Sequence, residues 1–114
     1  MSFGTVILKP SLTRLPNYTG CNLENKKLVF SCSSCGTSVN HIFDNSEFSK
    51  TETSQLVKIF NIPLVGKSHD GGWPNFQKSE CQNCSKKYAV YIGVNETSNS
   101  VYTLTLQGAV EIEN

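Results

Sequence analysis

Two Cys-x-x-Cys pairs, Cys32/Cys35 and Cys81/Cys84, stand 45 residues apart in a chain of 114. Nothing else in the sequence limits the fold so strongly. A Cys-x-x-Cys turn offers two thiolates from one tight loop, and a zinc ion held by sulfur needs four of them at about 2.3 Å in a tetrahedron. One pair cannot close that shell; two can, if the fold brings them together. The wide spacing makes the ion a staple between distant parts of the chain, unlike the centre of a compact finger. Gly36, directly after the first pair, gives the turn access to positive φ. Free buried cysteines, two redox dithiols and a [4Fe–4S] cluster are the competing readings. A redox dithiol belongs in a βαβ setting, which this sequence does not suggest. The expected cofactor is therefore Zn²⁺ on Cys32, Cys35, Cys81 and Cys84, in a closed structural shell. Such sites contribute about 10–16 kcal/mol, as much as the whole stability of a small domain.

The length fits one zinc-stabilised domain, residues 1–114, able to bury about two-thirds of its unfolded surface. Apolar residues make up 38% of the chain, and Asn and Ser are frequent between the apolar runs, a mixture that reads as short elements joined by polar turns. Ten Lys+Arg stand against nine Asp+Glu, a net charge of +1 that four thiolates and one Zn²⁺ take to about −1. A nucleic-acid binder is expected to carry a basic stripe. Here Lys26-Lys27 and Lys86-Lys87 are the only adjacent basic pairs, so nucleic acid is not the expected partner. No apolar run reaches the roughly 18 residues a membrane span needs. The opening MSFGTVILKPSLTR lacks a basic region ahead of Val6-Ile7-Leu8 and lacks a cleavage site, so a cytoplasmic location is expected. In a reducing compartment paired cysteines favour metal over disulfides.

Strand signals dominate, and the expected fold is mainly β: an antiparallel sheet stapled by the four cysteines, with α+β as the alternative. Thr5 to Lys9 reads as a strand ended by Pro10. Ser11 to Asn25 reads as a long connection. Lys27 to Ser31 and Val39 to Phe43 suggest a hairpin with the first knuckle at its tip. Ser46 to Leu56 has helical spacings, with Asn45 or Ser46 as cap, although the Thr-Glu-Thr-Ser run is a poor helix former. Leu56 to Phe60 fits either a core strand or the end of that helix. Tyr88 to Asn95 and Val101 to Gln107 alternate with period two, predicting an antiparallel hairpin across a polar loop, Glu96 to Ser100. Gly108 suggests a bulge before Ala109.

Other side chains with chemical potential have bland readings beside the sharp ones. Cys21 follows Gly20 in a polar connection, and no nucleophile motif pairs it with His41 or His69. His41 shares a face with Val39 and Phe43, as a hydrogen-bonded core histidine would. His69 and Asp70 precede Gly71-Gly72-Trp73-Pro74-Asn75-Phe76, which reads as a loop offering two large aromatics. That loop either lids the core or presents Trp73 and Phe76, with His69 and Asp70, to a protein partner. An all-cysteine shell leaves zinc no open position, so a metal-dependent enzyme is the least favoured alternative.

The four cysteines, Gly36 and the β-rich pattern resemble zinc ribbons and the folded-sheet group of Yippee-like and Mss4-like proteins. The ligand-binding, cereblon-like branch of that group carries an aromatic run that His69 to Trp73 imitates poorly, and Cys32 to Cys84 spans 53 residues, longer than a ribbon. In overall style, a short Asn-, Ser- and Lys-rich chain without catalytic motifs, the sequence is also similar to bacterial immunity proteins of contact-dependent inhibition systems. That resemblance implies a protein that binds a toxin domain and blocks it, with no catalysis of its own. The alternative is a nucleic-acid- or transcription-associated zinc module using Lys26, Lys27, Lys86 and Lys87 beside Tyr88 and Tyr91.

Overall fold

A computed structural model of the chain describes residues 2–44, 48–62 and 66–113. In order these form β1 (Ser2–Leu8), β2 (Tyr18–Gly20), β3 (Lys27–Ser31), β4 (Ser38–Ile42), α1 (Lys50–Ile59), β5 (Trp73–Glu80), β6 (Lys87–Ser98) and β7 (Val101–Glu113). The fold is mostly antiparallel β. β5, β6 and β7 run as a meander, and the far edge of β7 is shared by β1 and β2, which pair with its two halves (Phe3↔Ile112, Tyr18↔Leu104). β3 and β4 form a separate hairpin.

The period of two in β6 carries two cores. Val90, Ile92 and Val94 face the β3–β4 hairpin, meeting Leu28, Phe30 and Val39. Ala89 and Tyr91 face the other way, against Leu56 and Phe60 at the end of α1 and Phe76 of β5. The sheet is thus the middle of three layers, hairpin, sheet and helix. Each fully buried side chain of this size contributes about 1.5–3 kcal/mol.

β7 changes face at a bulge. Tyr91 pairs with Gly108 but Ile92 pairs with Leu106, leaving Gln107 as the extra residue. Leu104 and Leu106 therefore join the hairpin-side core, while Val110 and Ile112 join the helix side. Gly108 has to be glycine for packing: a Cβ there would lie 2.6 Å from the Phe60 ring. The bulge expected at Gly108 is present, and the strand continues through it to Glu113.

Several expected boundaries move. The helix begins at Lys50, capped by Ser49, whose hydroxyl accepts from Glu52 N–H while the Glu52 carboxylate accepts from Ser49 N–H. Asn45 and Ser46, the expected caps, lie outside the described residues. Leu56 to Phe60 is the helix end, not a strand. The long connection contains the short strand β2, and the polar loop after β6 shrinks to Asn99-Ser100, since Ser98 already pairs with Val101.

The largest correction is at Trp73 to Phe76. This segment is not loop but the start of β5, in continuous register with β6 from Trp73↔Val94 to Glu80↔Lys87. Pro74 is tolerated there because β5 is an edge strand.

Candidate metal centre

The two knuckles are built alike. Each closes a hairpin, the first between β3 and β4 and the second between β5 and β6. In the first, Cys32 N–H donates to Thr37 C=O (2.8 Å) and Gly36 N–H donates to Cys32 C=O (3.0 Å). In the second, Cys81 N–H donates to Lys86 C=O (2.8 Å) and Ser85 N–H donates to Cys81 C=O (2.9 Å). The residue after each second cysteine has positive φ, +78° at Gly36 and +66° at Ser85. Glycine takes that conformation freely; serine holds it against Cβ strain.

Packing the hairpin on the sheet sets the tips against each other. All four sulfurs lie within 4.8 Å of one another. The cross-knuckle pairs Cys32–Cys84 and Cys35–Cys81 are each separated by 3.6 Å. Zinc–sulfur bonds of about 2.3 Å imply a tetrahedron with edges of about 3.8 Å. A disulfide needs about 2.05 Å, and all five cysteines are free thiols. Donor type, number and spacing therefore fit one Zn²⁺ held by Cys32, Cys35, Cys81 and Cys84. Cys32 and Cys81 are buried beneath it while Cys35 and Cys84 face outward. Cys21 is exposed and lies outside the cluster.

Hydroxyls and backbone N–H groups surround the sulfurs. The buried Tyr88 hydroxyl lies 3.1 Å from Cys32 Sγ and accepts the Ser33 N–H (3.0 Å). Thr37 Oγ1 lies 3.0 Å from Cys35 Sγ and 3.6 Å from Cys81 Sγ. Ser33 Oγ donates to the Glu111 carboxylate, which also pairs with Lys86 at 4.0 Å. The Tyr88 hydroxyl, followed by N–H groups of the turn, lowers the Cys32 pKa. The Asn83 side chain and then Thr37 bring Cys35 down to about 5. Cys84 moves the opposite way, to about 11: the Lys86 N–H lowers it, but burial and the three other sulfurs together prevail. Four thiols this close do not ionise together unaided. A bound dication supplies the positive charge that holds all four as thiolates, and its uptake releases protons.

Tyr88, Thr37 and Asn83 are the site residues that sequence reasoning missed. Tyr88 was legible as a strand position and as a ring beside Lys86 and Lys87, but not as a partner of the sulfurs, because its hydroxyl meets Cys32 through tertiary packing, 56 residues away in the chain.

The other expected site residues separate. Directly paired strand residues share a face, so Trp73 sits with Val94 on the hairpin side and Phe76 with Tyr91 on the helix side. Trp73 is 44% exposed and meets Tyr102 edge-on at 6.3 Å. Phe76 is buried, stacked on Phe60, and is not available to a partner. The His69 backbone N–H donates to the Tyr91 hydroxyl (2.8 Å), and that hydroxyl also meets His69 Nδ1 (2.9 Å). Burial pushes Tyr91 up to about 12. Asp70 accepts from the Ser68 hydroxyl and lies over Gly93, again on the helix side. The four residues therefore do not make one patch; only Trp73 presents a large apolar surface.

His41 is a core histidine. It is buried, with Nε2 2.7 Å from Gln77 Oε1, and is no part of the sulfur cluster. Tyr88 and Tyr91 are both fully buried, so neither offers a ring for base stacking. Lys26 lies over the Tyr18 ring and Lys86 pairs with Glu111. Among the described residues, no helix is long and apolar enough to cross a membrane. Comparison with protein families, with characterised proteins and with solved structures finds no match to this chain.

Proposed function

We propose that this protein acts by stoichiometric binding of a protein partner, as a non-catalytic module in a reducing compartment. Inhibition of a toxin or another enzyme, in the manner of a bacterial immunity protein, is the specific form proposed. The observation that carries the reading is Trp73. A tryptophan at the start of a zinc-anchored strand, 44% exposed and propped by Tyr102, is the kind of rigid aromatic that dominates interfaces. β5 runs from Trp73 to Glu80, next to Cys81, so the metal that fixes one end of the strand limits the ordering cost at the other. The four clustered cysteines, His41 and His69 have structural duties: the cysteines fit a metal ion, His41 holds Gln77 and His69 holds Tyr91.

The test begins with Trp73→Ala beside the parent protein. A partner captured by the parent is identified, and its own activity is titrated with purified protein. Inhibition is expected to be complete at one equivalent. Trp73→Ala should weaken binding by at least about 2 kcal/mol, roughly thirtyfold, with the melting temperature unchanged. A melting temperature that falls with binding makes Trp73 a lid on the core. A partner that stays active when saturated removes the inhibitor reading.

A further inference from the structure

Neither the metal centre nor Trp73 accounts for a groove beside β3. It is a cavity of about 340 Å³, walled by Ile7, Leu8, Leu15, Phe30 and Leu106, with Arg14 on its flank. Leu12 and Leu15, in the connection that borders it, are 76% and 82% exposed, and Val29 on its rim is 45% exposed. Three consecutive residues of β3, Val29, Phe30 and Ser31, line it. Successive side chains point to opposite faces, so a cavity that meets all three meets the edge of the strand.

The hydrogen bonds identify which backbone groups that edge presents. Phe43 N–H donates to Lys26 C=O, and Cys32 N–H donates to Thr37 C=O. The antiparallel alternation then makes Leu28/His41 and Phe30/Val39 the intervening hydrogen-bonded pairs. Val29 and Ser31 therefore direct their N–H and C=O groups away from β4, toward the groove. Among the described residues β3 pairs with β4 alone. Arg14 adds a second unanswered donor. Its Nη2 donates to Lys9 C=O, its buried Nε has no acceptor, and no described carboxylate pairs with it.

We propose that this groove is a peptide-binding site. An extended segment of a partner protein adds to β3 as a third strand, seats an apolar side chain in the cavity and places a carboxylate on Arg14. Each part answers one unsatisfied feature: main-chain groups pair with Val29 and Ser31, an apolar side chain covers the exposed Leu15 and Val29, and an anion meets the guanidinium. A small apolar carboxylate would fill the cavity and meet Arg14, yet leave the strand edge unpaired. The site shares no residue with the Trp73 surface and stands or falls separately from it.

The test is a titration of the full-length, zinc-loaded, ¹⁵N-labelled protein, followed by NMR. The probe is acetyl-Thr-Val-Thr-Val-Leu with a free terminal carboxylate; its amide form and octanoate are the comparisons. Saturable shifts are expected at the Val29 and Ser31 amides and at Arg14 Nε–H, with the amide form at least about tenfold weaker. Arg14→Gln should lose a similar factor. Val29→Pro removes an outward N–H while sparing the β4 ladder, so it should abolish binding with the melting temperature unchanged. The proposal is overturned if no saturable shift appears, if Val29→Pro binds as well as the parent, if octanoate binds as tightly as the peptide, or if the β3 edge is occupied by a second copy of this chain.

Discussion

Tyr88 shows how much one atom does in this fold. Its ring belongs to the hairpin-side core, edge-on to Phe30 at 5.2 Å, and its hydroxyl is shared between Cys32 Sγ and Ser33 N–H. Tyr88→Phe keeps the ring and removes the one atom of this side chain that lies within hydrogen-bond distance of the Cys32 sulfur. Partners of this kind typically tune metal affinity 10–100-fold. The expected result is a zinc affinity lower by about that factor, measured by competition with a chromophoric chelator, with the far-UV spectrum unchanged. Unaltered affinity would reduce the hydroxyl to a packing detail. The four cysteines were legible in the sequence because their spacing encodes a shape. Tyr88 was not, because its role depends on β6 lying beneath the first knuckle. The grouping of Trp73 with Phe76, His69 and Asp70 failed for a related reason: nearness in sequence does not say on which side of a sheet each residue falls.

Elements were readable where apolar periodicity was intact. β3 occupies the expected Lys27 to Ser31, and β6 and β7 follow their alternation. The helix was displaced by several residues although its start signal was present, since Ser49-Lys50-Thr51-Glu52 is a capping-box sequence. β5 was missed because its hairpin-side residues, Trp73, Asn75 and Gln77, give no apolar alternation. Gln77 is fully buried yet polar, satisfied by His41, Asp44 and Asn75. That network ties β4 to β5 and makes the join sensitive to acid. Burial lowers the His41 pKa below its usual value, with Gln77 and Asp44 opposing the shift less strongly. A depressed histidine stays neutral in the folded chain while the unfolded chain protonates near pH 6.5, so stability falls as pH drops below that value. The slope from one proton is at most about 1.4 kcal/mol per pH unit. Zinc loss in acid acts in the same direction, so the measurement is a difference. Urea unfolding of the parent and of His41→Gln from neutral to mildly acidic pH should show a shallower decline in the variant, and parallel curves would refute the assignment.

At the scale of the whole molecule, the metal decides whether the three layers behave as one. A two-stranded hairpin is marginal alone, and β3–β4 covers the sheet with few large side chains, chiefly Leu28, Phe30 and Val39. Their burial contributes about 1.5–3 kcal/mol each, together comparable to the net stability of a small domain. Without the metal, nothing bridges the two knuckles, and the entropy of the freed tips works against that contact. Release of the hairpin would expose Val90, Ile92, Leu104 and Leu106 in the middle layer, so the helix-side core is not expected to survive by itself. The sole tryptophan is well placed to report this. Trp73 lies at the opposite end of β5 from Cys81, about 26 Å away along an extended strand. Chelation of zinc is expected to produce one transition, with Trp73 emission and far-UV circular dichroism changing together. Cys84→Ser should reproduce it without chelator, whereas Cys21→Ser, outside the cluster, should melt like the parent. A change confined to the hairpin, with Trp73 emission and the β signal intact, would mean that the sheet and helix fold on their own and that the zinc holds only the tips.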